Sequence, residues 1–192
     1  MASSPFGALK ALYAEMEQAY GEHARSAGLS CEGCPTNCCT SFFQHHTYIE
    51  WIYAIKGVQA LPTAKQKDVV ERARAYTTHA KERLAAKTVP DAMCPLNEDG
   101  LCIIYPYRLM ICRMHGTKNS IHLPNGQDQH FRGCDRFVTL PKAEEVGHLD
   151  RTPFYQRLAA LEMDILRRAG RPLPGVRLTL AEMILLGPPK VR

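Results

Sequence analysis

Four cysteines within nine residues, Cys31, Cys34, Cys38 and Cys39 in the pattern C-x2-C-x3-C-C, constrain this chain more than any other feature of its sequence. The Gly, Pro and Asn residues between them favour tight turns over a regular helix or strand. Two cysteines separated by two residues across a turn can direct both sulfurs at one centre. That arrangement supports Zn–S bonds of about 2.3 Å or the corners of an iron–sulfur cluster. Four further cysteines follow: Cys94, Cys102, Cys112 and Cys134. The eight together read as metal ligands. Neighbouring side chains on an extended or turning backbone diverge, so Cys38 and Cys39 are expected to face different centres, with eight thiolates dividing into two sets of four. The competing arrangements are a single site with spare buried or redox-active thiols, and a vicinal disulfide.

The rest of the composition bounds the reading. A hydrophobic fraction of 45% and a charged fraction of 22% are those of a globular chain and exclude disorder. No stretch approaches the roughly 20 consecutive apolar residues of a membrane span. Lys10, Glu15 and Glu17 interrupt the apolar pattern that a signal peptide would need. The expectation is a cytoplasmic protein without a membrane partner. In that reducing setting clustered cysteines bind metal or react, and seldom form disulfides. The formal net charge of +5 suggests nucleic acid at first sight. That count takes every thiol as neutral, whereas four thiolates on a divalent ion carry about −2. Two such centres nearly cancel the excess, and Arg108, Arg113, Lys118, Arg132 and Arg136 all lie close in sequence to cysteines. Nucleic acid is therefore not the expected partner; a protein or peptide is.

Helical signals frame the cysteines. Ser4-Pro5 is a helix start, and Leu9, Leu12, Tyr13, Met16 and Tyr20 recur at helical spacing until Gly28. A short helix is expected from Tyr48 to Lys56, stopped by Gly57. A long polar one is expected from Thr63 to Lys87, with a thin stripe of Val69, Val70, Ala73, Tyr76, Ala80 and Leu84 suited to a partner helix. Between Met93 and Leu140 the texture is irregular. Asn125-Gly126, between Ile121-His122-Leu123 and His130-Phe131, signals a hairpin, with Pro124 counting against it. Thr152-Pro153 opens a helix lined by Phe154, Leu158, Leu161, Ile165 and Leu166 and closed by Gly170. Thr179 and Glu182 make a capping box before a last short helix. The predicted fold is mainly α, with helices at both ends and a long central helix. These pack around an irregular, metal-braced cysteine core with at most two or three short strands. It is read as a single domain over 1–192, with a metal-binding core at about 31–134 and helical flanks at 5–28 and 152–187.

Several familiar cysteine patterns are absent. The order is the reverse of the C-x3-C-x2-C of enzymes that cleave S-adenosylmethionine. The bacterial ferredoxin run is missing, and no histidine pair follows Cys34 at zinc-finger spacing. The run from Cys31 to Cys39 instead resembles the hallmark of the YkgJ-like cysteine-cluster family, described as zinc- or iron-chelating domains. The likeness continues through Cys94-Pro95-Leu96, Cys102-Ile103-Ile104-Tyr105, Arg108-Leu109, Cys112-Arg113 and Cys134. All eight cysteine positions match, over about residues 31 to 134. Leu109 stands where the family usually has proline, which loosens a turn and removes no ligand. Relatives of that family include flagellin lysine N-methylases, longer chains similar to iron–sulfur dependent methyl-transfer proteins; their activity is not carried over.

Beyond the eight cysteines, Arg108, Arg113 and Tyr105 are candidate cofactor-binding residues, two cations to neutralise a thiolate cluster and a phenol to hydrogen-bond a sulfur. His45, His46 and His115 are candidate substitute ligands. The spread of cysteines from residue 31 to residue 134, with Leu101, Ile103, Ile104, Leu109, Met110 and Ile111 beside them, favours an iron–sulfur cluster. The expected cofactor is 4Fe-4S, in one or two centres, serving electron transfer or cluster-assisted modification. Zinc is the alternative cofactor. It would make the chain a non-catalytic interaction module using the long helix, or a metal storage or delivery protein.

Overall fold

Proline in the first turn and an apolar residue every three or four steps make Pro5–Ser26 a helix, α1, in the computed structural model, which describes residues 5–32, 34 and 38–191. The expected capping Ser4 lies outside the described residues. α1 buries Leu9, Leu12, Tyr13 and Met16. It ends where Gly28 takes φ 74° and Leu29 N–H reaches back to Ala24 C=O at 2.8 Å, an αL termination.

The second helix, α2 (Tyr48–Gln59), runs past the glycine expected to stop it. Gly57 is there for contact: a Cβ at that position would lie 2.7 Å from Cβ of Tyr107. Helix propensity alone disfavours glycine by about 1 kcal/mol, which close packing of an aromatic ring outweighs. Thr47 provides no side-chain cap. Buried Glu162 does so from far along the chain, accepting from the N–H groups of Tyr48 and Ile49 at 2.9 and 3.0 Å.

The long helix α3 (Thr63–Ala85) buries Val69, Ala73, Tyr76 and Ala80. Leu84 stays exposed, so the stripe is shorter than expected. Its last turn closes through Lys87 at φ 57°, with Thr88 N–H on Arg83 C=O at 2.8 Å. The apolar edge suited to a partner helix is covered within the chain by α7 (Leu180–Leu186). α7 begins with the predicted capping box, Thr179 and Glu182 each accepting the other's backbone N–H.

Five short strands occur among the described residues, where two or three were expected. β1 (Asn97–Glu98) and β2 (Leu101–Cys102) pair antiparallel, Asn97 opposite Cys102. Asp99 at φ 51° and Gly100 at φ 85° form the two-residue turn between them. Strands of two residues carry no alternation, so only that Asp-Gly pair signalled them. β3 (Asn119–His122) and β4 (Asp128–Phe131) form the predicted hairpin. Pro124 occupies the second position of a turn closed by Gly126 N–H on Leu123 C=O at 2.9 Å, where its fixed φ helps. β5 (Leu149–Asp150) adds parallel to β3, giving the order β4-β3-β5. Two short helices, α4 (Met110–Met114) and α5 (Asp135–Val138), fill the irregular region, and α6 (Thr152–Arg168) follows as expected. The chain is thus mainly helical, with two small sheets.

The chain packs as two compact units, each assembled from two stretches: Met1–Cys38 with Met110–Leu161, and Cys39–Leu109 with Glu162–Arg192. The boundaries fall between Cys38 and Cys39, between Leu109 and Met110, and inside α6. In the first unit α1 packs on α4 and β5, and a small core gathers Ala24, Ala27, Leu29, Phe137 and Ala143, with Tyr20 and Cys134 against it. An Arg157–Glu15 ion pair lies on its surface. In the second unit α7 packs on α2 and α3, and Ile49, Ala54, Val69, Ala73, Leu96 and Met183 are sealed from solvent. Among the described residues no helix is long and apolar enough to cross a membrane.

Candidate metal centres

All eight cysteines are reduced thiols. In the first unit the chain turns at Glu32, with Cys34 N–H on Cys31 C=O at 3.2 Å. The guanidinium of Arg136, on α5, holds that turn from the other side by donating to Glu32 C=O at 2.8 Å. Cys134 sits at the N-cap of α5, its sulfur accepting from Phe137 N–H at 3.4 Å, and its own N–H donates to Gly116 C=O at 2.8 Å. Cys31, exposed as a residue, still has its thiol pushed up. Desolvation of the sulfur is the main cause, followed by the charges that Cys134 and Cys34 would carry; Arg136 and a hydrogen bond from Tyr20 act the other way. The three sulfurs are thus electrostatic neighbours although about a hundred residues of chain separate two of them from the third. Cys38 and Cys112 belong to the same unit.

The second unit gathers Cys39, Cys94 and Cys102. Cys94 N–H donates to Cys39 C=O at 2.9 Å, and Asn97 N–H returns to Cys94 C=O at 3.0 Å, leading into the β1–β2 hairpin that carries Cys102. Cys94 is half-buried as a residue, but its sulfur is withdrawn from water and its pKa is pushed up to about 12. Burial dominates, a backbone N–H from Leu96 opposes it, and the charges of Cys39 and Cys102 add to it while Arg72 offsets them. Two residues of α3 face this group. Tyr76 has its phenol raised to about 12, by burial first and then by Cys94. Arg72 donates through Nη1 to Asn97 C=O at 3.1 Å and through Nη2 to Glu98 at 2.8 Å. Its Nε–H and the Nδ2 amide of Asn97 are buried, and among the described residues neither has an acceptor.

The other sequence candidates make contacts of their own. Arg108 stacks its guanidinium 3.5 Å above the Tyr105 ring, and Tyr105 is exposed. Arg113 is buried in the first unit, over the Tyr13 ring at 4.3 Å and ion-paired with Glu17 at 3.4 Å. Its charge is engaged by α1. His46 contacts Val176 C=O at 3.1 Å, His45 is buried beside it, and the half-buried His115 has its pKa lowered by burial and by Arg151. Reading the sequence did not single out Tyr20, Arg72 or Asn97 as site residues. Tyr20 and Arg72 come from helices outside the cysteine segments and Asn97 from the hairpin beside Cys94, and a helical stripe or a hairpin residue carries no mark of such a role.

Tyr20 gives a direct test. Replacing it with Phe removes the hydroxyl that steadies the Cys31 thiolate. Alkylation of Cys31 by iodoacetamide in the metal-free chain is expected to require a higher pH, with little change in thermal stability. An unchanged pH profile would remove Tyr20 from the site.

Among the described residues no three Cys, His, Asp or Glu side chains stand close enough together to hold a metal ion as they are. Gathering thiols onto an ion means moving them, and each side chain driven off-rotamer costs about 0.5–1.5 kcal/mol. Structural zinc returns roughly 10–16 kcal/mol. The donor set fits a soft metal by its chemistry: thiolates in two neighbourhoods, mutually repelled without a cation, with buried N–H groups of Arg72 and Asn97 lacking acceptors beside one of them. Comparison with family models, with curated proteins and with solved structures finds no match.

Proposed function

We propose that this chain is a cytoplasmic metalloprotein that holds its metal through Cys31, Cys34, Cys38, Cys39, Cys94, Cys102, Cys112 and Cys134, as an iron–sulfur protein of electron transfer or cluster-assisted modification. The observation supporting this reading is the gathering of thiols remote in sequence: Cys31 and Cys34 with Cys134, and Cys39 with Cys94 and Cys102. The resemblance to the YkgJ-like cysteine-cluster family, which rests on the same eight positions, points the same way. An iron–sulfur cluster, when bound, supplies one-electron chemistry at a potential set by charge, hydrogen bonds to sulfur and exposure. The chain's own part is to hold the ligands and tune them. Tyr20 donates to Cys31, Phe137 N–H to Cys134 and Leu96 N–H to Cys94, while Arg136 and Arg72 offset thiolate charge.

Structural zinc in a binding module is the second reading, and one observation favours it. Cys31 and Cys38 are exposed, and so is Leu101, one of the apolar residues expected to shield a cluster.

Anaerobic purification with a visible spectrum and metal analysis on one sample separates these readings. Brown protein absorbing near ~400 nm, with roughly four or eight irons per chain for one cubane or two, is the expected result. Colourless protein with one or two zincs selects the second reading. Protein that takes up neither metal rejects both. Cys34→Ser and Cys112→Ser are each expected to lower the bound metal.

A further inference from the structure

The two units differ in the number of thiols they contribute. The first contains Cys31, Cys34, Cys38, Cys112 and Cys134, the second only Cys39, Cys94 and Cys102. Closed structural sites take four protein ligands, whereas sites that accept a ligand from solution keep three and leave a position open. The second unit's histidines are committed elsewhere: His46 to Val176 C=O, His79 to Asp91, and His45 buried next to His46. Of the carboxylates close to the trio in sequence, Glu98 is held by Lys65 and Arg72, Asp91 pairs with His79 and Arg83, and Asp99 is exposed in the β1–β2 turn. Beside the thiols stand two donors instead, Arg72 Nε–H and Asn97 Nδ2–H, both buried and without an acceptor among the described residues.

A buried N–H left unpaired is costly, so each of these donors, on residues already joined by the Arg72 Nη1 to Asn97 C=O bond, calls for an acceptor. Arg72 is also fixed in advance, because its two terminal nitrogens are already bonded to Asn97 C=O and Glu98. Resting on the reading of these thiols as metal ligands, we infer that the second unit forms a three-thiolate metal centre whose open position takes a small anionic ligand, held by Arg72 Nε and Asn97 Nδ2. Three thiolates on a divalent ion leave a net charge of about −1, which repels an anion unless a cation stands beside the open position. Arg72 provides that cation. The first unit, with five thiols, completes a closed centre from its own cysteines.

The test loads the metal-free, reduced full-length chain with Co2+ under anaerobic conditions and titrates it with azide, following metal per chain and the cobalt visible bands. Two cobalt ions per chain are expected, with azide shifting the bands of one. Cys94→Ser/Cys102→Ser should keep one cobalt and lose the azide response. Cys31→Ser/Cys34→Ser/Cys134→Ser, which leaves the first unit two thiols, should keep one cobalt and retain the azide response. Helical circular dichroism checks that each variant is folded. Arg72→Lys keeps a cation within reach of Glu98 and loses the Nε donor; it should hold both cobalt ions and bind azide about tenfold more weakly. An azide response that survives Cys94→Ser/Cys102→Ser, or azide affinity unchanged in Arg72→Lys, overturns the inference. Two bound cobalt ions with no response to azide also overturn it while leaving the metal-binding reading intact. A chain that binds no cobalt removes that reading, and the inference with it.

Discussion

Replacing Gly133 with alanine is expected to destabilise the chain by about 2–5 kcal/mol, the sum of two costs that act at one atom. Gly133 has φ +87°, and an L-residue in the left-handed region costs about 1–2 kcal/mol. The added Cβ would also lie 2.6 Å from the carbonyl oxygen of Gly116 and 2.9 Å from both Lys118 N and Thr117 C. These are backbone atoms, which cannot swing aside as a flexible side chain does, and overpacking of this kind costs about 1–3 kcal/mol more. A fall of roughly 10 °C in the unfolding midpoint follows for a chain of this size.

The control is Gly126→Ala. Gly126 has a similar φ of +82°, but nothing lies within 4 Å of its added Cβ, so only the conformational cost applies, about 1–2 kcal/mol. Equal losses for the two variants would mean that the 116–118 backbone does not press against Gly133. The larger effect carries into the site. Cys134 N–H on Gly116 C=O is the bond that this close approach allows, so Gly133→Ala should also lower metal retention by the first unit's thiols.

What sequence reading captured, and what it missed, follows from how local each signal is. α1, α3, α6 and α7 were legible because caps and apolar stripes lie within the segment that uses them; the Thr179–Glu182 box needs only four residues. Gly57 misled because its reason is the Tyr107 ring, fifty residues later. α2's N-terminus is likewise capped by Glu162, more than a hundred residues away. The strands β1, β2 and β5 are too short for periodicity. Spacing alone selected the candidate ligands and the turn at Cys31–Cys34. It did not indicate which cysteines are neighbours, because that depends on the hairpin bringing Cys102 beside Cys94 and on the close approach at Gly133 placing Cys134. Arg113 drew attention by its position next to Cys112, yet a helix residue one step on points away from its neighbour by about 100°, and Arg113 went to Tyr13 and Glu17.

Stability of the metal-free chain is expected to fall by on the order of 3 kcal/mol as pH drops from 7 to 4, through His45. Its imidazole is 5% exposed. Its pKa falls from 6.5 to about 4, chiefly because burial penalises the cation and secondarily because His46 would repel it. The unfolded chain therefore takes up the proton near pH 6.5 while the folded chain refuses it until about pH 4. The stabilisation is complete above the unfolded value and is lost as pH falls towards the folded one. Glu162 opposes this in acid: burial raises its carboxyl, so the folded chain gains relative stability as that group protonates. Comparison with His45→Asn removes the shared Glu162 contribution, since that carboxylate is present in both proteins. Urea unfolding at several pH values should show the wild type losing its advantage over His45→Asn by about 2 kcal/mol at pH 5 relative to pH 7.5. A difference that does not vary with pH would mean that the imidazole keeps its access to water, and that the acid sensitivity of the fold arises elsewhere.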